Sequence, residues 1–485
     1  GMHYDSYKLY KRAKHEFRNI QQAAYEQYIQ QTNDDINKAA ECDIRLFWKL
    51  IKRNKTVSSK IYPEIIQDDN ICNTPESIAN AFMDYFSKLY QPDSDEMYDN
   101  DTRQQIELDY NKILKSCYEQ NAYLPGGIIK ESEVDGIIKL LKRRKASGHD
   151  KIQHEHLLYG GHTLVRCLTS LFNLVVSKGR IPNGWKLDLL VPLFKGNNKP
   201  KTSPDSYRPI TLLPCVLKVF EHIIKSRLLL YVFDGSVFPN PQQQGFQKYL
   251  GCLTASFNLH ETIFHNIELF SKIFVAFLDS RKAFDTVWRI GLMYKLFKLG
   301  VNGKLWLLIN DCHYNTKSAV IVNQCQSSFF PVLEGVRQGG VLSGLLYLVF
   351  INDLICDLEK FNPNTGIFNI NCCAPALADD ISCIATSPAS LQRMLNVCNQ
   401  YSKKWRFRFN ANKSCIIQFS VNTREITVNF PWFIGNERIP IANNYLHLGI
   451  ELNSRFKSNQ RTESSCRKGR NAYFALNGIK TNATN

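Results

Sequence analysis

Two stretches decide the fold: Ile273-Phe274-Val275-Ala276-Phe277-Leu278-Asp279-Ser280-Arg281-Lys282-Ala283-Phe284-Asp285 and Ala376-Leu377-Ala378-Asp379-Asp380-Ile381-Ser382-Cys383-Ile384-Ala385. The first is an unbroken apolar run of strand length that ends in a carboxylate, where an amphipathic helix is expected over 283–299. Open α/β sheets place functional groups at such strand ends. Asp279 or Ser280 capping that helix would explain the residues equally simply. The second stretch reads as a hairpin with Asp379-Asp380 at its tip. Adjacent carboxylates repel, and partial burial makes their charge costly unless a cation lies between them. A solvated turn is the plainer alternative, since Asp favours turns. Taken together, one strand-end Asp and a tip pair supply three oxygen donors, a ligand set for two Mg²⁺ ions bridging a triphosphate.

Outward from these stretches, Gly335-Val336-Arg337-Gln338-Gly339-Gly340-Val341-Leu342-Ser343-Gly344 opens an apolar helix expected over 345–358. A glycine-rich turn lets a nucleotide or template base approach the backbone, and Gln338 could contact it. Short apolar runs at 189–194 and 273–278 read as buried strands, with helical periodicity over 217–231 and 391–405. The fold class is α+β, with non-local strand pairing.

The chain has 485 residues, room for about three domains. Its 60 Lys and Arg against 44 Asp and Glu give a formal charge of +16, which points to a polyanionic partner, nucleic acid before membrane. The 15 cysteines are odd in number and form no CxxC pair, so they read as reduced thiols. No apolar run approaches a membrane span, and the first twenty residues lack the apolar centre of a secretory signal. An intracellular protein, in nucleus or cytoplasm, is expected.

The order of motifs resembles that of a reverse transcriptase of the non-LTR (LINE-type) retrotransposon kind. Phe277 to Asp285 resembles motif A, Gly335 to Leu342 motif B and Leu377-Ala378-Asp379-Asp380 motif C. Phe409-Asn410-Ala411-Asn412-Lys413-Ser414 is similar to motif D, and Tyr445-Leu446-His447-Leu448-Gly449 to the primer grip. Val191-Pro192-Leu193-Phe194-Lys195, Ser206-Tyr207-Arg208-Pro209-Ile210 and Gln243-Gln244-Gly245-Phe246 resemble the fingers motifs, and Lys145 to Asp150 with Ile181-Pro182 and Trp185 the extension before them. Leu377, Gly344, Gln247 and His149 stand where the family usually has an aromatic, a proline, a basic residue and a proline.

The resemblance implies a right-hand polymerase fold with this organisation: a basic helical arm and linker over 1–100, a helical N-terminal extension over 101–188, fingers and palm over 189–440, and a primer grip with an incomplete thumb over 441–485. It implies RNA-directed DNA synthesis, with RNA template, DNA primer and deoxynucleoside triphosphates as partners and two Mg²⁺ ions as cofactors, Mn²⁺ being an alternative. Asp279, Asp379 and Asp380, with the Ser280 carbonyl, would hold the metals. Lys195 and Arg208 would grip the triphosphate, Phe284 would exclude a 2′-hydroxyl, and Gln338 and Gly339 would line the nucleotide site. Lys413 would protonate the pyrophosphate, and Leu448 and Gly449 would hold the primer. The family's N-terminal endonuclease is not expected here. A non-catalytic nucleic-acid-binding remnant is the competing expectation. A Mg²⁺-dependent nucleotidyl cyclase would share the carboxylates but has no use for the fingers and primer-grip motifs.

Overall fold

A computed structural model of the chain describes residues 4–42, 62, 64–67, 70–93, 95–120, 123–196, 199–233, 238–362, 365–368, 370–420, 430–456, 466–467 and 469–470. It divides into two units, one of residues 1–61 and 465–485 and one of residues 62–464.

In the first unit, helix α1 (Tyr4–Cys42) runs where the spacing of Phe17, Ile20 and Tyr28 predicts one, and those side chains are exposed. The helix carries six basic and six acidic residues, so it is neutral, and the basic excess of the expected arm belongs to the residues that follow it. The basic residues between 43 and 61 lie outside the described residues, as does most of the expected thumb segment, 457–465 and 471–485.

The second unit begins earlier than the expected boundary near residue 100. Helix α2 (Pro75–Leu89) starts because Pro75 fits the first turn and the Thr74 hydroxyl accepts the Ser77 N–H at 3.2 Å. It buries Ile78, Phe82 and Phe86 against Leu190, Tyr207 and Val320 of a mixed sheet. Phe82 meets the Tyr207 ring edge-on at 4.9 Å. In that sheet β1 (Leu187–Phe194) pairs antiparallel with β2 (Tyr207–Leu212), while the Lys317–Val322 strand pairs parallel on its other side.

The stretch 91–103, whose acidic and polar composition reads as a loop, contains a helix start. Asp99 accepts the Thr102 N–H at 2.9 Å, launching α3 (Asn100–Glu119). Only Ile106, Ile113 and Cys117 of α3 are buried, which is why its periodicity is faint in the sequence.

A four-stranded antiparallel sheet carries the deciding stretches. Its central strand β3 (Lys272–Leu278) is flanked by β5 (Asp380–Ala385) and β6 (Cys415–Ser420), and β4 (Ala376–Leu377) pairs with β5 at the edge. Phe274, Ala276 and Leu278 face the main core, which includes the buried helix Ser343–Phe361. Ile273, Val275 and Phe277 face a smaller cluster under Leu452. A strand buried on both faces reads as a continuous apolar run, as this one does. The helix expected over 283–299 starts only at Arg289, since residues 281–286 form turns and Trp288 is its N-cap.

Candidate active site

Register places the carboxylates. Ile381 lies opposite Leu278, so the next pair outward is Asp380 with Asp279, and period-2 alternation puts both on the face that carries Phe277. Leu377 pairs with Asp380, leaving Ala378-Asp379 as a two-residue turn in which Ala378 takes a left-handed φ of 58°. The neighbouring 240–247 loop holds that turn. Gln243 Oε1 accepts the Ala378 N–H at 2.7 Å and its Nε2 donates to the Ala378 carbonyl at 3.2 Å. Gly245 must be a glycine here, because a Cβ would lie 2.4 Å from the Ala378 nitrogen.

Electrostatics follow from this crowding. Burial raises the Asp380 carboxyl to about 6, with Asp379 and Asp279 adding to it. Asp379 and Asp279 are raised too, chiefly by burial, while Lys413 and Lys199 pull Asp279 back down. Lys413 reaches this region because the 409–414 turn is stitched to the end of β3. The Asn410 N–H donates to the Asp279 carbonyl at 2.7 Å, and the Ser414 hydroxyl accepts the Asp279 N–H at 3.1 Å. On either side of Ser280 the bonds to the 408–410 segment use the Asp279 carbonyl and the Arg281 N–H, so they leave the Ser280 carbonyl unused.

Asp279 and Asp379 open on a cleft of about 1170 Å³. Of the residues singled out in the sequence, Lys195, Arg208, Asp279, Ser280, Phe284, Gln338, Asp379 and Lys413 line it; Asp380, Gly339, Leu448 and Gly449 do not. Burial lowers the Lys195 ammonium, and Lys199, Lys282 and Lys413 add repulsion against the pull of Asp205. Phe284 stacks on Tyr347 with centroids 4.7 Å apart and meets Phe246 edge-on at 5.7 Å. Gly344, at the usual proline position, is where a Cβ would strike the Phe246 ring at 2.7 Å. Gly339 also differs from expectation. Its close approach is to the protein's own backbone, with φ at 124° and the Thr211 carbonyl 2.8 Å from where a Cβ would sit.

Leu448 and Gly449 form the tip of a hairpin, β7 (Asn444–His447) with β8 (Ile450–Asn453), both at positive φ. Tyr445 and His447 pack on Phe277, each ring 4.9 Å away, so the hairpin covers the sheet face that ends in Asp279. Sequence reading missed Tyr85, Gln91 and Tyr98 at the cleft, and also Lys199 and Lys282. The tyrosines come from a segment with no recognisable motif. Lys282 sits within the quoted motif A stretch and had a signal that could be read.

A family model described as reverse transcriptase (RNA-dependent DNA polymerase) matches residues 198–451, more than half of the chain and the whole span from the Lys199 loop to the grip hairpin. The chain belongs to the reverse transcriptase family. It is 30% identical over 321 residues to the RNA-directed DNA polymerase from mobile element jockey of Drosophila melanogaster, covering 64% of this chain and 34% of that one. Two further Drosophila melanogaster relatives are the probable RNA-directed DNA polymerases from transposon X-element, 26% identical over 84% of this chain and 43% of theirs, and from transposon BS, 24% over 95% and 50%. The chain thus spans between a third and a half of these relatives' length. A polymerase palm and fingers go with the reverse transcriptase family. Among solved structures, apo telomerase from Candida tropicalis truncated from its C-terminal domain aligns over 60% of this chain and 59% of that chain, at 13% identity and a TM-score of 0.39.

Proposed function

We propose that this chain is an RNA-directed DNA polymerase that extends a primer 3′-hydroxyl on an RNA template, taking deoxynucleoside triphosphates. The observation that carries the reading is the strand register that sets Asp279 against Asp380, with Asp379 on the adjoining turn and the cationic wall of Lys195, Arg208 and Lys413 across the same cleft.

Among the described residues, no group of three or more His, Cys, Asp or Glu side chains has the spacing of a metal cluster. The donor chemistry nonetheless fits a hard divalent cation, because three oxygen-donor carboxyls crowd until burial and mutual repulsion raise Asp380 to about 6. Asp279, Asp379, Asp380 and the Ser280 carbonyl would hold two Mg²⁺ ions, with Mn²⁺ as an alternative. When bound, the ions would supply charge neutralisation at the reacting oxygens. The chain's own groups do the positioning. Lys195 and Arg208 hold the triphosphate, Phe284 lies under the sugar and blocks a 2′-hydroxyl, and Lys413 holds a proton for the leaving pyrophosphate. Gln338 contacts the nucleotide, Gly339 fixes the loop that presents it, and the Leu448-Gly449 tip supports the primer.

In the finer organisation, the helices between 101 and 188 serve as an N-terminal extension and residues 441–485 contribute the grip and part of a thumb. The described cysteines are all free, which supports a reducing compartment, nucleus or cytoplasm. The test is primer extension on RNA with Mg²⁺. Wild type should add nucleotides, and Asp279→Ala or Asp379→Ala should abolish addition while template binding persists. Wild-type binding without addition under Mg²⁺ or Mn²⁺ would instead favour the non-catalytic remnant.

A further inference from the structure

Helix α1 runs for 39 residues, about 58 Å at 1.5 Å per residue, and every side chain from Tyr7 to Gln31 is exposed. A helix in a folded protein draws most of its stability from packing one face, so an open face of this length calls for a partner. The apolar residues on it are ordered. Tyr10, Ala13, Phe17, Ile20 and Ala24 follow one another at spacings of three and four, and Tyr28 continues the line, so they form one stripe down the helix. Phe17 and Ile20, at its centre, are 66% and 69% exposed.

The charge divides at the same place. From Tyr4 to Arg18 the five cations Lys8, Lys11, Arg12, Lys14 and Arg18 stand against Asp5 and Glu16, a balance of +3. From Asn19 to Cys42 Lys38 stands alone against Glu26, Asp34, Asp35 and Glu41, a balance of −3. Two of the first-half cations border the stripe, since the Lys14 ammonium lies 5.7 Å from the centre of the Tyr10 ring and that of Lys11 lies 5.2 Å from the centre of the Tyr7 ring.

Two such helices laid parallel would set each half against its own like charge. Reversing one sets every half against its opposite. The reversal also keeps the stripe in register: with a two-fold axis between Arg18 and Asn19, Phe17 faces Ile20, Ala13 faces Ala24 and Tyr10 faces Gln27 across the pair. The paired alanines let the helices approach closely on either side of the bulky centre. A contact between identical surfaces needs a pattern that maps onto itself about one point, and here the apolar stripe is centred where the charge reverses. A nucleic acid strand would match the cations of the first half but neither the stripe nor the acidic second half.

We propose that α1 is a self-association element that pairs antiparallel with α1 of a second copy of this chain. The charge sets the direction of the pairing and the stripe sets its register. This goes beyond the polymerase reading and does not depend on it.

The experiment has two arms, both on the full chain. Sedimentation velocity over a concentration series should show a dimer that dissociates on dilution, and Phe17→Glu with Ile20→Glu should raise its dissociation constant roughly a hundredfold or more, since two seam side chains exchange burial for charge. The second arm reads direction. In Ala13→Cys with Ala24→Cys, mild oxidation followed by peptide mapping should link position 13 of one copy to position 24 of the other, a link that cannot close within one helix, where the two lie about 16.5 Å apart along the axis. Links of 13 to 13 and 24 to 24 would show parallel pairing and overturn the proposal. A wild-type chain that stays monomeric throughout would overturn it too, as would a glutamate variant as dimeric as wild type. The cross-link decides the case even where the glutamate variant fails to fold.

Discussion

At the scale of single residues the site depends on backbone proximity as much as on charge. Gly245 is the sharpest case, since the Ala378 nitrogen lies 2.4 Å from where a Cβ would go and the opposing atom is backbone that cannot swing aside. Gly245→Ala should push the Ala378-Asp379 turn outward. Displacing a reacting group by about 1 Å can cost roughly a hundredfold, so kcat should fall steeply while template binding holds, measured by single-turnover extension beside a binding titration. Unchanged kcat would mean that the turn relaxes independently of the 240–247 loop. Phe284 offers a second test, because its stack on Tyr347 and edge contact with Phe246 fix the ring in place. Phe284→Val should raise ribonucleotide use relative to deoxyribonucleotide use in competitive incorporation, and a constant ratio would remove Phe284 from sugar selection.

At the scale of elements, the parts that were legible in the sequence are those whose burial is total. The strand 273–278 declares itself because both faces are packed, and the Asp-Asp hairpin because its flanking strands are apolar. The start of helix α3 did not, since a helix burying three residues of twenty keeps a polar sequence and its start rests on one Asp99 cap. The expected helix start at Ala283 failed for a related reason. Ala283, Val287 and Trp288 are buried at helix-like spacing, but turns deliver them to the core and the helix begins only at Arg289. The hydrogen bonds that the Tyr90 hydroxyl and the Gln338 amide donate to Asp285 could not be read at all, because they join segments 195 and 53 positions apart. That junction carries a pH signature. Burial raises Asp285 to about 6 from an ordinary 3.8, so the native state holds its proton where the unfolded chain has lost it. Its stabilising contribution is complete below about pH 4 and is lost as pH rises through 6. Asp285→Asn lacks this loss, so its stability relative to wild type should climb over that interval by up to about 3 kcal/mol, read from urea denaturation at pH 4 and pH 8. A constant difference between the two proteins would show Asp285 to be no more protonated in the native state than in the unfolded chain.

At the scale of the whole molecule the question is where the charge sits. Helix α1 is neutral, so the entire +16 excess belongs to the rest of the chain. Part of it is gathered at the cleft, where Lys195, Lys199, Arg208, Lys282 and Lys413 line the walls with Asp279 and Asp379. On the proposed polymerase reading, a duplex would be held through phosphates and shape, with little reading of base edges. Each phosphate neutralised releases condensed counterions, so log K should fall by ~0.7 to 0.9 per contact for each decade of salt. With about six contacts, affinity for an RNA–DNA template-primer should drop roughly a thousandfold between 50 and 200 mM salt, while unrelated sequences bind alike. Deleting residues 4–42 removes no net charge, so the slope should survive that deletion even if the intercept moves. Fluorescence anisotropy across a salt series on both proteins measures the two quantities together. A flat slope in the full chain would separate the basic surface from the nucleic acid, and a slope that collapses on deletion would move the contacts onto the clustered lysines and arginines in the first half of α1.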